Sequence, residues 1–427
     1  MSSLENKLTV HKTSNWIPQM LEWANLNFGY FGYFTSNEVN YPSGGFEHVF
    51  YAGSHAVSLE SISQLPISKP KIGILSYDQK NKYEDLYSNN RSEINCPDSL
   101  FFSPELTIYI SSEEVTIQCQ NPKVVHTGIL NTNIATTAES KGSCILHCSH
   151  DQESYTNTFN KIQEHILAGD IYELNYCMDF HGKATHIAPI DIFLDLCANS
   201  PMPFSALFKA ANLYLCCASP ERFLKKKGQT LLTQPIKGTT KRGNSIQEDE
   251  KLRRNLSESE KERAENLMIV DLMRNDLARM AITGSISVKE LFGIYSFRQI
   301  TQMISSITCQ LPPNTSFEEI LANTFPMGSM TGAPKIKCME IIEAYENFKR
   351  SWFSGSIGYI DENGDFDFCV IIRSLIIDKT KNSFYFGVGS AITIDADARD
   401  EYQECLLKAS SIIKTLENSY SIINNPN

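Results

Sequence analysis

Apolar and polar residues alternate along Leu106 to Ile110 and Val115 to Cys119, on either side of the polar tetrad Ser111-Ser112-Glu113-Glu114. A period of two sends every second side chain to one face, so this stretch is predicted to be a hairpin with one buried face. The pattern is strand-rich from residue 1 to 150, and Thr137 to Glu153 is polar enough to act as a connection. The period then changes. Phe159, Ile162 and Ile166 recur at helical spacing and Gly169 supplies a stop. Helical spacing returns at Leu267, Val270 and Met273. From Tyr359 to Ile394 it gives way to strand patterning, interrupted by Asn363-Gly364 and by the polar run Lys379 to Asn382, which predicts three antiparallel strands in succession. A last helix is predicted from about Asp400 to Glu417, with Leu406, Ala409, Ile413 and Leu416 facing inward, and then a frayed tail from Ser421 to Asn427. Antiparallel runs of strands with helices between the runs predict an α+β fold rather than a doubly wound parallel sheet.

With 427 residues, 42% of them hydrophobic, the chain can bury a large core without covalent staples. Its formal net charge of -11 repels phosphate backbones and anionic lipid, so nucleic-acid or membrane-surface binding is not expected as its main activity. An anionic substrate would need a local cationic pocket or a metal. Met1 to Lys7 shows no basic region followed by an apolar stretch, and no segment approaches the length of an apolar membrane span, so a cytoplasmic location is expected. The twelve cysteines show no C-x-x-C pair and read as reduced thiols.

Glu262 and Glu265 share one face of a predicted helix, and Glu401 and Glu404 repeat the spacing on the last helix, with Lys408 along the same stripe. Most such pairs are solvated helix faces. Two pairs converging from two helices would instead suit one hard cation such as magnesium. Thr331-Gly332-Ala333-Pro334-Lys335 precedes a helical run, either as an ordinary cap or as amides offered to a carboxylate. Lys237, in Pro235-Ile236-Lys237-Gly238-Thr239, ends a predicted strand. It is a snorkelling surface residue, or a nucleophile if burial or nearby Lys241 and Arg242 lower its pKa. Antiparallel pairing would bring Glu221 of Ser219-Pro220-Glu221-Arg222 beside it, where a raised pKa would let the carboxyl protonate a leaving hydroxyl. Arg373 sits among Val370, Ile371, Ile372 and Leu375, and a guanidinium in an apolar strand needs a partner such as a substrate carboxylate.

Taken together, Pro235 to Thr239, ERAENLMIVDLMRNDLAR from Glu262, FPMGSMTGAPK from Phe325, GSIGY from Gly355, and Glu401 to Lys408 resemble the chorismate-utilising enzymes in order and wording. That family includes the anthranilate, aminodeoxychorismate, isochorismate and salicylate synthases. The resemblance covers roughly residues 150 to 415. It implies large antiparallel sheets in a sandwich flanked by helices, with residues 1–150 a strand-rich region packing on the core and residues 151–420 the catalytic domain. It further implies that Glu265 and Glu404 bind magnesium, helped through water by Glu262 and Glu401. Gly238, Thr239, Thr331, Tyr359, Arg373, Gly389, Ser390, Ala391 and Lys408 would hold chorismate.

Within the family, the aminodeoxychorismate enzymes typically carry lysine at the position of Lys237, where the others usually carry alanine. The resemblance therefore implies a covalent route in which Lys237 adds to the ring while Glu221 protonates the departing hydroxyl, and ammonia from a glutamine amidotransferase partner then displaces the lysine. Anthranilate synthase component I is the nearest alternative. Glu173, Gln302 and Ala391 depart from the usual pattern, which leaves a non-catalytic chorismate-binding subunit as a further alternative. Glu173 stands where the water-adding relatives place a lysine.

Overall fold

Two β-sheets, almost wholly antiparallel, organise the chain in a computed structural model that describes residues 6–66, 68–134 and 141–424. Thirteen strands form the first sheet and ten the second. The hairpin expected from alternation is present: Leu106–Ile110 pairs with Glu114–Gln118, and Ile110 lies opposite Val115. Phe34, Phe208 and Leu215 of the first sheet meet Ile72, Phe101 and Ile357 of the second in one buried cluster. Burying each such side chain contributes about 1.5–3 kcal/mol. A second cluster joins other strand residues of the first sheet to its helices. There Phe180 and Phe386 stack at 4.9 Å, with Trp16, Phe159, Phe193, Ile341 and Ile412 supplied by five helices.

Strands from the first 150 residues belong to both sheets. Tyr30–Thr35 pairs with Phe204–Ala210 in the first, and Lys71–Leu75 pairs with Ser356–Ile360 in the second.

The structure departs from the patterning in three places. Gly142–Cys148 is a strand, although its sequence reads as part of a polar connection. Cys144 and Leu146 are buried, while the apolar but exposed Ile145 between them hides the alternation. The expected tail forms a strand too: Tyr420–Asn424 pairs in parallel with Gly142–Cys148. Residues 137–140 and 425–427 lie outside the described residues. Thirdly, the strands after Tyr359 are not one meander. Ser356–Ile360 and Phe366–Val370 form a hairpin in the second sheet, whereas Ser374–Asp378 and Ser383–Ile392 form one in the first. The chain crosses between sheets at residues 371–373, and Arg373 takes a φ of 53° there instead of lying on a strand. That backbone region costs a non-glycine residue about 1 kcal/mol or more, so the surroundings must hold it.

The helix Gln152–Leu167 buries Phe159 and Ile162 and ends before Gly169, whose φ is 82°. Helix Glu260–Ala278 is capped by Ser259, which accepts from the Glu262 amide at 3.3 Å. Its inner face carries Ile269, Val270, Met273 and Leu277, while Leu267, expected inside, faces out. Helix Ala398–Ser419 is capped by Asp397 and buries Ala409 and Leu416 as expected, together with the carboxylate-bearing Glu401. No helix among the described residues is long and apolar enough to cross a membrane, and all twelve cysteines are free.

Candidate active site

A cavity of about 630 Å³ lies where the crossover meets both sheets and the helices Glu260–Ala278 and Ala398–Ser419. Lys237, Gly238 and Thr239 reach it from the strand Ile236–Lys241, and Gly389 and Ala391 from Ser383–Ile392. Gly238 has a φ of 88°, and a Cβ there would stand 3.0 Å from Glu262 Oε2, so glycine lets this strand approach the acidic helix. Arg373 enters from the crossover. Burial pushes its pKa down with only Glu404 opposing, which leaves its fork available to an anion.

The register Arg222↔Gln234 brings Glu221 to the cavity next to the Lys237 segment, as antiparallel pairing predicts. Glu221 is 5% exposed and accepts a 2.6 Å hydrogen bond from Ser329 Oγ. Burial pushes its pKa up to about 7, against the pull of Ser329 and Lys237. It is thus poised to carry a proton near neutral pH.

Lys237 is 10% exposed and forms an ion pair with Glu173. Here the expectation of a lowered pKa is overturned. Burial works against the ammonium, but Glu173, Glu265 and Glu221 together outweigh it and raise the pKa. Lys241 and Arg242 are not among the main influences on it, and Arg242 is engaged by Asp249 at 2.7 Å.

Glu262, Glu265, Glu401 and Glu404 all line the cavity. Lys261 reaches Glu401 at 3.1 Å and Glu265 at 3.9 Å, and Lys408 reaches Glu404 at 2.6 Å and the Gly389 carbonyl at 2.8 Å. Burial raises the pKa of Glu262 and Glu401, with Glu404 adding repulsion, and lifts Glu265 to about 7. Burial also disfavours ionised Glu404, but Lys408 outweighs it and the pKa falls. Four carboxylates, with Glu265 and Glu401 buried, Glu262 half-buried and Glu404 exposed, outnumber Lys261, Lys408 and Lys237 beside them and fit a hard cation, since every donor is oxygen. The four are not a preformed cage. Among the described residues, the one potential metal-binding group whose ligand atoms lie within 4.8 Å of one another is Glu93, Asp179 and His181. That triad is outside the cavity and already compensated, with Arg91 Nε 2.5 Å from Glu93 and His181 Nδ1 2.8 Å from Asp179.

Three residues expected to hold substrate are not in the cavity wall. Ser390 differs in parity from Gly389 and Ala391, so it points to the other face of the sheet and shares a 2.8 Å hydrogen bond with Tyr155. Tyr359 packs edge-on against Phe34 in the inter-sheet core, and its hydroxyl accepts from the Glu47 amide at 3.1 Å. The Thr331 hydroxyl donates to the Met327 carbonyl at 3.1 Å, and the next two residues pair with the start of Glu173–Ala184. Lys335 is tied to Asp276, so this segment serves as a brace rather than an anion cradle. Conversely, Ser329 and Lys261 belong to the site and were missed, though both lie in or beside the quoted motifs. Arg350 was also missed and no local pattern marks it. It pairs with Glu346 at 2.5 Å and donates to the carbonyls of Met330 and Asn175, fixing two cavity segments from behind.

The chain belongs to the chorismate binding enzyme family, whose profile matches residues 36–414. It is 33% identical over 357 residues to aminodeoxychorismate synthase component 1 of Escherichia coli (strain K12), covering 83% of this chain and 78% of that one. It is 36% identical over 364 residues to the chloroplastic aminodeoxychorismate synthase of Arabidopsis thaliana, of which it spans 39%. A Synechocystis anthranilate synthase component I-like protein is 31% identical over 359 residues, 83% of this chain and 74% of its own length. Among solved structures, anthranilate synthase component I from Streptococcus pneumoniae TIGR4 matches with a TM-score of 0.73 at 22% identity, covering 96% of this chain and 93% of that one. This likeness bears out the fold of large antiparallel sheets flanked by helices.

Proposed function

We propose that this protein is an aminodeoxychorismate synthase component I, converting chorismate and ammonia to 4-amino-4-deoxychorismate, with ammonia supplied by a glutamine amidotransferase partner. The observation that carries the reading is Lys237, enclosed in the cavity between the two acidic helices and the sheets, beside a carboxyl of pKa about 7, Glu221. Identities of 33% and 36% to relatives bearing that name support it. All the residues lining the cavity fall between Asn175 and Ser411, so the chemistry is assigned to residues 151–420. A cytoplasmic setting suits a chain whose twelve cysteines are free.

In this reading Arg373 orients a chorismate carboxylate, helped by the Gly389 segment and Lys408. Lys237, as the free amine, adds to the ring carbon bearing no oxygen. Glu221 gives its proton to the departing hydroxyl, which leaves as water. Ammonia then attacks the vacated carbon and expels Lys237 as an amine, and Glu221 recovers a proton from the new ammonium group. Glu265 and Glu404, assisted by Glu262 and Glu401, are the residues that would hold magnesium. When bound, the ion would neutralise the ring carboxylate and ease loss of the hydroxyl.

Incubating the purified chain with chorismate, magnesium and an ammonium salt is expected to give 4-amino-4-deoxychorismate. Anthranilate as the product would overturn the reading and favour the anthranilate alternative, to which the Synechocystis relative points. Chorismate binding without turnover would favour a non-catalytic subunit.

A further inference from the structure

The ion-pair partner of Lys237 is not one of the four glutamates on the two acidic helices. It is Glu173, at the start of the strand Glu173–Ala184 and only 1% exposed. One oxygen of Glu173 meets Lys237 Nζ, while Oε2 is buried without a hydrogen-bond partner among the described residues. The backbone of Glu173 is pinned. Cys338 Sγ donates to its carbonyl at 3.2 Å, and a Cβ at Gly332 would lie 2.1 Å from that oxygen, so glycine permits the close packing. Glu173 therefore has a fixed place and one exchangeable proton within reach.

An unpaired carboxylate oxygen is costly to bury. Moving the proton from Nζ to Oε1 would leave a neutral carbonyl at Oε2 and a neutral amine, and both are cheaper in a dry site than the charged pair. Filling the cavity with substrate removes the water that supports the charged form. Lys237 is faced by Glu173, by Glu265 from helix Glu260–Ala278, and by Glu221 from the turn before Arg222. Glu221 is needed as the acid, and Glu265 lies in the acidic wall.

We propose that Glu173 is the base that frees Lys237, taking its Nζ proton before the amine attacks and returning it after the amine is expelled. This rests on the reading of Lys237 as the nucleophile. Protons balance: Glu173 holds one from the first step to the last, and Glu221 exchanges its own with the leaving hydroxyl and the incoming nitrogen.

Glu173→Gln keeps the shape and removes the base. Its turnover is expected to fall about 10²-fold or more, with magnesium-dependent chorismate binding retained. Its rate relative to the parent should recover as pH rises and solvent takes over the deprotonation. Glu173→Asp, which keeps a carboxylate, should exceed the Gln variant by about ten-fold. Equal losses in the two variants, or a Gln variant matching the parent in rate and pH profile, would overturn the proposal. Should the Gln variant not fold, infrared difference spectra of Glu221→Gln on adding chorismate must show a new protonated carboxyl; its absence overturns the transfer. The two readings fail separately. If Lys237→Ala keeps full turnover, the nucleophile itself is wrong; if that variant is dead and Glu173→Gln matches the parent, only the base is wrong.

Discussion

Lys237 and Glu173 are 10% and 1% exposed, whereas Lys261 and Lys408, which answer the four-glutamate wall, are 49% and 31% exposed. Both regions pair lysine with glutamate, yet solvent gives the pairs different uses. An exposed pair is worth about 0–1 kcal/mol and its lysine can swing into water, so the acidic wall can exchange a side-chain cation for a bound one. The buried pair has nowhere to send its charge. Only a proton can move there, so in the proposed reading the wall that would hold a cation stands beside a corner that would handle protons.

The sharpest way to break this contrast is Lys237→Ala. Turnover should drop on the order of 10³-fold or more, and mass spectrometry of the parent should show a lysine adduct of chorismate-derived mass. Glu221→Gln comes next, with an expected loss of about 10²-fold. The parent rate should decline as pH rises past about 7, where Glu221 loses its proton. The same carboxyl leaves a mark on stability. Its folded pKa of about 7 lies above its ordinary value of 4.5, so the folded chain retains a proton that the unfolded chain releases between them. The stability this proton supplies is present below that window and lost as pH rises through it. Glu221→Gln should therefore gain melting temperature over the parent at pH 8 and little at pH 4, as calorimetry will show. Arg373→Lys should raise the chorismate KM about ten-fold, since a point charge replaces a two-pronged contact. Smallest of all, Lys261→Ala should tighten magnesium binding a few-fold, roughly the reach of one exposed ion pair, by titration calorimetry. A large loss of stability in that variant would show the wall to be as rigid as the buried corner.

Local periodicity made the hairpin at 106–118 and the helix Gln152–Leu167 legible, because their signals lie within a few turns of chain. The cavity was legible for a different reason: Lys237 and the four glutamates stand in motifs whose wording survives without the fold, and pairing of neighbouring segments placed Glu221 beside them. Neither signal reports which sheet a strand joins, so the crossover before Ser374 was invisible and Arg373 was placed on a strand. Parity around Ser390 depends on register with Tyr176, which the sequence does not display. The charge of Lys237 was misjudged because its neighbours in sequence, Lys241 and Arg242, were visible, whereas Glu173 lies 64 positions away.

Strand Ser374–Asp378 lies between Leu213–Ser219 and Ser383–Ile392, and the latter pairs with Glu173–Ala184. The middle of the larger sheet is thus closed by residues synthesised late. A growing chain must carry its earlier strands with unpaired edges until these two emerge from the ribosome, a state prone to misassociation. The largest layer therefore closes only once residues 374–392 have been made, and fragments stopping short of residue 374 are expected to aggregate instead of forming a smaller stable unit.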